Sequence, residues 1–182
     1  MKRIVKDALT LLCITLVAGL CLSFVYELTK DPIANAELQA KAASYRAVMA
    51  EADEFGELSE QQDALLEEIK AVNEVLTAKD KDGNVIGYVM SVTTNNGYAG
   101  EVTVALGIST DLTVTGFSPL SHGESPGFGA RMGDDDIKAL FVGIASGAEF
   151  DGISGATITS NALRETVDTA IQTAKTLMEV QG

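Results

Sequence analysis

Apolar positions first gather into one unbroken run, because from Ala8 to Tyr26 the chain (ALTLLCITLVAGLCLSFVY) carries no charge. As a helix this stretch spans about 28 Å, the thickness of a bilayer's hydrocarbon core. A cleaved signal has a shorter apolar core with a small-residue cleavage site close behind it. Here Ala34-Asn35-Ala36 lies well past the run, and Leu20 before Cys21 is too large for a lipoprotein cleavage box. The segment is therefore expected to be an uncleaved transmembrane helix. Lys2, Arg3 and Lys6 precede it while Glu27, Lys30 and Asp31 follow. Cationic flanks stay in the cytoplasm, so the N-terminus is expected inside and the bulk of the chain outside.

Beyond the run the pattern turns helical and then alternating. Asp31-Pro32 interrupts the helix or begins a new one, and alanine-rich Ile33 to Ala50 predicts a second helix joining membrane to domain. The acidic stretch Glu51 to Glu57 reads as a solvated loop. Ser59 and Gln62 have capping-box spacing, which predicts a short helix over Gln61 to Ala71, with a strand from Ile69 as its competitor. Four segments rich in Val, Ile, Tyr and Thr follow, Glu74–Ala78, Asn84–Thr94, Ala99–Ile108 and Leu112–Phe117. The turns between them, Lys81-Asp82-Gly83-Asn84, Asn95-Asn96-Gly97 and Ser109-Thr110-Asp111, predict an antiparallel meander of three hairpins. Asp134 to Val142 opens on three aspartates that favour a helix N-terminus. A last helix over Asn161 to Met178 puts Leu163, Val167, Ala170, Ile171, Ala174 and Leu177 on one face. The expected fold is α+β: a transmembrane helix over 8–26 within a membrane anchor at 1–30, a helical linker region at 31–72, and at 73–182 a domain of helices packed on an antiparallel sheet.

Charge and composition narrow the chemistry. The whole chain carries a formal net charge of −13, and beyond Tyr26 there are 10 basic against 25 acidic residues. Such a surface repels nucleic acid and anionic headgroups. It serves solubility or docking to basic proteins. Cys13 and Cys21 both lie in the apolar run, leaving the outer domain without a disulfide or a Cys-rich metal site, and the lone His122 excludes a multi-His zinc site. No catalytic residue and no metal ligand set is expected, so hard chemistry must come from a bound cofactor.

Two segments are explained by neither packing nor simple turns. His122-Gly123-Glu124-Ser125-Pro126-Gly127-Phe128-Gly129 is rigid at its proline and open at its glycines, so backbone can lie close to a flat ligand while Phe128 offers an apolar surface. Asp151-Gly152-Ile153-Ser154-Gly155-Ala156-Thr157-Ile158-Thr159-Ser160 is a small, hydroxyl-rich turn before the last helix. It offers Thr157 where a phosphate can dock, a glycine at 155, and the unpaired N–H groups of a helix start. It is neither a P-loop nor a dinucleotide fingerprint. Gly152-Ile153-Ser154-Gly155-Ala156 falls one residue short of a nucleophile elbow, which leaves open an anchored hydrolase using Ser154 and His122. A non-catalytic anchored binding domain is a further alternative. Thr159 and Ser160 are expected to cap the last helix, and Tyr88 and Tyr98 to belong to the core.

Ser154-Gly155-Ala156-Thr157, preceded by Asp151, resembles the flavinylation motif of membrane-bound FMN-binding domains. The loop at 122–129 resembles the same family's H-x-E-T-P-G-L-G, with Ser125 and Phe128 as departures that keep chemical character. Over essentially the whole length the chain resembles the RnfG proteins of Rnf electron-transport complexes, relatives of the NqrC component of the sodium-translocating NADH:quinone oxidoreductase. The resemblance implies FMN held covalently through its phosphate by Thr157. It implies that Asp151, Ser154, Gly155 and Ala156 form the sequence read by a flavin transferase using FAD, and that Glu124, Ser125, Phe128 and Gly129 lie against the flavin, with His122 available to hydrogen-bond it. It also implies the other Rnf subunits as partners, in a membrane complex coupling ferredoxin and NAD redox chemistry to ion transport. A stand-alone outward-facing flavoprotein carrier is the rival within redox chemistry.

Overall fold

The computed structural model describes residues 2–66, 69–148 and 150–181. It comprises two compact units, Met1–Lys41 and Ala42–Gly182. Helix α1 runs Lys2–Val48. Within it Lys6–Lys30 is long and apolar enough to cross a membrane, with a mean hydropathy of 2.5 and none of it buried. The break expected at Asp31-Pro32 does not occur, since Pro32 lies inside the helix. Proline's fixed φ is itself helical, and the ring removes one N–H, the one that would pair with the Leu28 carbonyl. The remaining backbone hydrogen bonds on both sides carry the helix through.

In the second unit, β1 (Glu54–Gly56), β2 (Val72–Lys79), β3 (Val85–Gly97), β4 (Gly100–Ser109) and β5 (Val114–His122) form one sheet in the order β1-β2-β3-β4-β5. Every neighbouring pair is antiparallel. The expected meander is present, and the acidic stretch read as a loop contributes the extra edge strand: Phe55 pairs with Ala78 and packs on one face of the sheet. Helix α2 spans Glu60–Leu66, while residues 67 and 68 of the expected Gln61–Ala71 helix lie outside the described residues. Its start carries the anticipated cap, with Ser59 donating to Gln62 Oε1 from both its backbone N–H and its hydroxyl at 3.1 Å. Helix α3 is confined to Asp135–Ala139 and follows a 3-10 turn at Gly129–Gly133.

The two sheet faces bury different partners because side chains alternate along each strand. One face, with Tyr88, Met90, Val92, Val104 and Leu106, packs against Leu163, Val167, Ile171 and Leu177 of α4 (Thr157–Gln181). The apolar stripe expected of that helix is its buried face, each large side chain contributing roughly 1.5–3 kcal/mol. Gln62, 2% exposed, ties α2 into this layer by donating to Tyr88 Oη (3.2 Å) and the Leu177 carbonyl (3.1 Å). The other face seats the end of α1, where Tyr45, Val48 and Met49 lie on Val89 and Ala105. Gly116 permits this, because a Cβ there would meet Val48 Cα at 2.5 Å, and a Cβ at Gly107 would meet the Val48 carbonyl oxygen. Thr115 Oγ1 donates to that carbonyl at 2.6 Å, pairing a group that every helix C-terminus leaves free.

Candidate functional site

Three elements far apart in sequence converge at one end of the sheet. The β3–β4 hairpin ends in the tip Gly97-Tyr98-Ala99-Gly100, with Gly100 at φ +101°. After β5, Ser125-Pro126-Gly127-Phe128 closes a tight turn through Phe128 N–H to the Ser125 carbonyl (3.2 Å), with Gly127 at φ +78°. Proline second and a positive-φ glycine third is the pattern of a type II turn. Ile153-Ser154-Gly155-Ala156 repeats that construction through Ala156 N–H to the Ile153 carbonyl (2.9 Å), with Gly155 at φ +78°. The two turns touch, since a Cβ at Gly155 would stand 3.3 Å from Phe128 Cδ1. Helix α4 begins directly afterwards, at Thr157.

One buried carboxylate binds the three together. Glu124, 6% exposed, accepts from the Ala99 N–H through Oε1 at 3.0 Å and from Thr159 Oγ1 through Oε2 at 2.5 Å. Its own N–H donates to His122 Nδ1 at 3.3 Å. Ser160 closes the base of the turn, its Oγ accepting from Ile153 N–H and donating to the Ala156 carbonyl, both at 2.9 Å. The capping roles expected of Thr159 and Ser160 are thus replaced: α4 starts earlier than its apolar stripe, and both hydroxyls work from inside its first turns.

Between these elements lies a cleft of about 520 Å³, within the range of small-molecule sites. Of the residues singled out in the sequence, Glu124, Ser125, Phe128, Gly129, Gly155, Ala156 and Thr157 line it. His122, Asp151 and Ser154 do not. His122 ends β5 and accepts from the Glu124 N–H of the following loop, whereas Asp151 and Ser154 are exposed. Among the described residues no hydrogen bond joins Ser154 to His122, whose Nδ1 accepts instead from the Glu124 N–H. Tyr98, Pro126, Ile158 and Thr159 line the cleft as well. Tyr98 is not the core residue expected of it: β3 ends at Gly97 and β4 begins at Gly100, which leaves it on the tip and 68% exposed. The Asn-Asn-Gly preceding it is the available signal. Tyr88 is fully buried, as expected.

The chemistry of the lining is specific. Thr157 presents an exposed hydroxyl at the first residue of a 25-residue helix, whose leading N–H groups and dipole favour an anion. Beside it Tyr98, Phe128 and Ile158 expose apolar surface, and Gly155 leaves backbone open to close approach. This donor set fits a ligand with one anionic end and a flat apolar body.

Comparison with known proteins gives that ligand a class. Residues 97–172 match the FMN-binding domain family, a span that contains every residue lining the cleft. Residues 1–48 match the RnfG N-terminal region. The G component of an ion-translocating oxidoreductase complex from Cereibacter sphaeroides is 30% identical, the match covering 84% of this chain and 76% of that one. The corresponding protein from Methanosarcina acetivorans is 28% identical over 93% and 94% of the two chains. The G component of the Na+-translocating ferredoxin:NAD+ oxidoreductase complex of Acetobacterium woodii is 29% identical over 97% and 94%. Among solved structures, Shewanella oneidensis NqrC is similar with a TM-score of 0.48 and 20% identity, over 58% of this chain and 60% of that one. The second unit thus contains, over residues 97–172, an FMN-binding domain. The chain belongs to the RnfG family of ion-translocating oxidoreductase complexes.

Proposed function

We propose that this chain is the membrane-anchored electron carrier of an ion-translocating ferredoxin:NAD oxidoreductase complex, bearing FMN in phosphoester linkage to Thr157. The observation that carries the reading is the placement of the Thr157 hydroxyl at the start of α4, on the wall of the cleft. Attachment is a group transfer from FAD by a flavin transferase. The Thr157 Oγ1–P bond forms, the pyrophosphate P–O bond breaks, AMP leaves, and the hydroxyl proton passes to the transferase or water. Asp151 and Ser154, exposed on the turn, are proposed as the part of the sequence that enzyme reads, with Gly155 and Ala156 giving it access.

When bound, the isoalloxazine accepts and passes on electrons. The chain's own residues hold it. The leading N–H groups of α4 would face the phosphate, and Phe128, Ile158 and Tyr98 would enclose the ring. Ser125 and Gly129 complete the wall, and Glu124 keeps hairpin tip, loop and helix in register. His122 is assigned the support of this loop. The helix at Lys6–Lys30 is proposed as an uncleaved anchor with its N-terminus in the cytoplasm and the FMN domain outside, where the other Rnf subunits are its partners.

The test is co-expression with an FAD-dependent flavin transferase, followed by denaturing electrophoresis and in-gel flavin fluorescence. The wild-type band is expected to fluoresce and Thr157→Ala to be dark with an unchanged circular dichroism spectrum. A dark wild-type band, from a transferase active on another acceptor, defeats the reading.

A further inference from the structure

We propose that Glu124 is a potential-setting residue, whose buried carboxylate lowers the midpoint potential of the flavin held in the cleft by repelling the negative charge that reduction adds. The inference rests on the reading of the cleft as the FMN site. Among the described residues lining it there is no Lys, Arg or His, and Glu124 is the one carboxylate. Both Glu124 oxygens are held by hydrogen bonds, Oε1 by the Ala99 N–H at 3.0 Å and Oε2 by Thr159 Oγ1 at 2.5 Å. Their donors are a backbone amide and a hydroxyl, which hold the charge in place without cancelling it. The first turn of α4 has no acidic residue and no basic one. The nearest arginines along the chain are engaged elsewhere, Arg131 with Asp134 and Arg164 with Asn161. The positive end of α4 meets the ester phosphate, which brings its own negative charge. A cleft walled by apolar side chains screens Coulomb interactions less than water does, so the Glu124 charge acts on a ring bound beside it.

Glutamine at 124 keeps the shape, and its amide oxygen can still accept from Ala99, so the charge is removed without the clamp. Thr159→Val does the opposite, removing a donor while the charge stays. The full chain, matured with FAD and the flavin transferase, is titrated spectroelectrochemically, and amide exchange at Ala99 is measured on flavin-free protein. Glu124→Gln is expected to shift the midpoint potential to more positive values with Ala99 still protected, and Thr159→Val to shift it to more negative values. Opposite signs do not arise from general loosening of a site. An unchanged or more negative potential in Glu124→Gln with Ala99 protected overturns the proposal, as do two shifts of the same sign. If Glu124→Gln loses the Ala99 protection, Thr159→Val decides alone, and an unchanged or more positive potential there is fatal. A wild-type chain that takes up no flavin overturns this proposal together with the reading beneath it, whereas loaded flavin with unmoved potentials overturns this one only.

Discussion

Beside the oxygens of Glu124 neither Gly97 nor Gly129 has room for a side chain. A Cβ at Gly97 would stand 2.7 Å from Oε1, and one at Gly129 would collide with Oε2 and lie 2.7 Å from Thr159 Oγ1. Neither glycine is at a positive φ, so the requirement is for space and not for backbone freedom. Gly129→Ala is therefore expected to cost roughly 1–3 kcal/mol in urea denaturation, the usual range for overpacking. On the proposed Thr157 linkage it should also reduce flavin incorporation; full incorporation would show that the clamp does not shape the cleft. In the sequence Gly129 is legible as a loop glycine near an apolar residue. That it makes space for a carboxylate is not, because its partners lie 5 and 30 positions away along the chain.

Among the elements, α4 shows where periodicity succeeds and where it stops. The stripe from Leu163 to Leu177 announces itself through apolar spacing, but the first turn, Thr157-Ile158-Thr159-Ser160, is β-branched and hydroxyl-rich, with low intrinsic helix propensity. Hydrogen bonds from Thr159 to Glu124 and from Ile153 to Ser160 hold that turn in the helix, and no local pattern reports them. Strand β1 is hidden for a related reason: three residues in an acidic stretch are too short for alternation, and pairing with β2 defines them. Helix α2 is visible through its cap, and Gln62 turns that cap into a tertiary link with β3 and α4. Gln62→Ala strands the Tyr88 hydroxyl in the core and takes from the Leu177 carbonyl its second hydrogen bond. A loss of roughly 1–3 kcal/mol is expected from chemical denaturation; a loss within a few tenths would mean that water replaces the amide.

Over the whole molecule, the order of elements and the class of site are readable because hydropathy, turn chemistry and two motifs each act locally. The cleft itself is not, since its walls come from residues 98, 124–129 and 155–159 and meet only in three dimensions. The same long-range packing shapes the pH response. Tyr88 is pushed above its ordinary 10.0 by burial, opposed by its hydrogen bond with Gln62. Tyr45 is pushed further above 10.0, chiefly by burial, then by its hydrogen bond and charge interaction with Glu74. Both phenols stay protonated longer in the folded state than in the unfolded chain. Their stabilisation is complete below pH 10 and falls as pH rises beyond it, because the unfolded chain sheds those protons first. The denaturation midpoint is expected to drop between pH 9 and pH 11, and to drop less when Tyr45 and Tyr88 are both replaced by Phe. Equal slopes in the two proteins would assign the alkaline loss to other groups, the net charge of −13 foremost.

The Glu124 clamp also bears on the order in which the chain matures. Its two hydrogen bonds close sequence separations of 25 and 35 residues, whereas the turn that offers Thr157 is closed by a bond between residues three apart. Contacts of long separation form late, after the entropy of closing their loops has been met. The turn that carries Thr157 is therefore formed from local contacts before the cleft around it is complete. Completion of the clamp then joins that turn to the hairpin tip and to the loop after β5, and the three together wall the cleft.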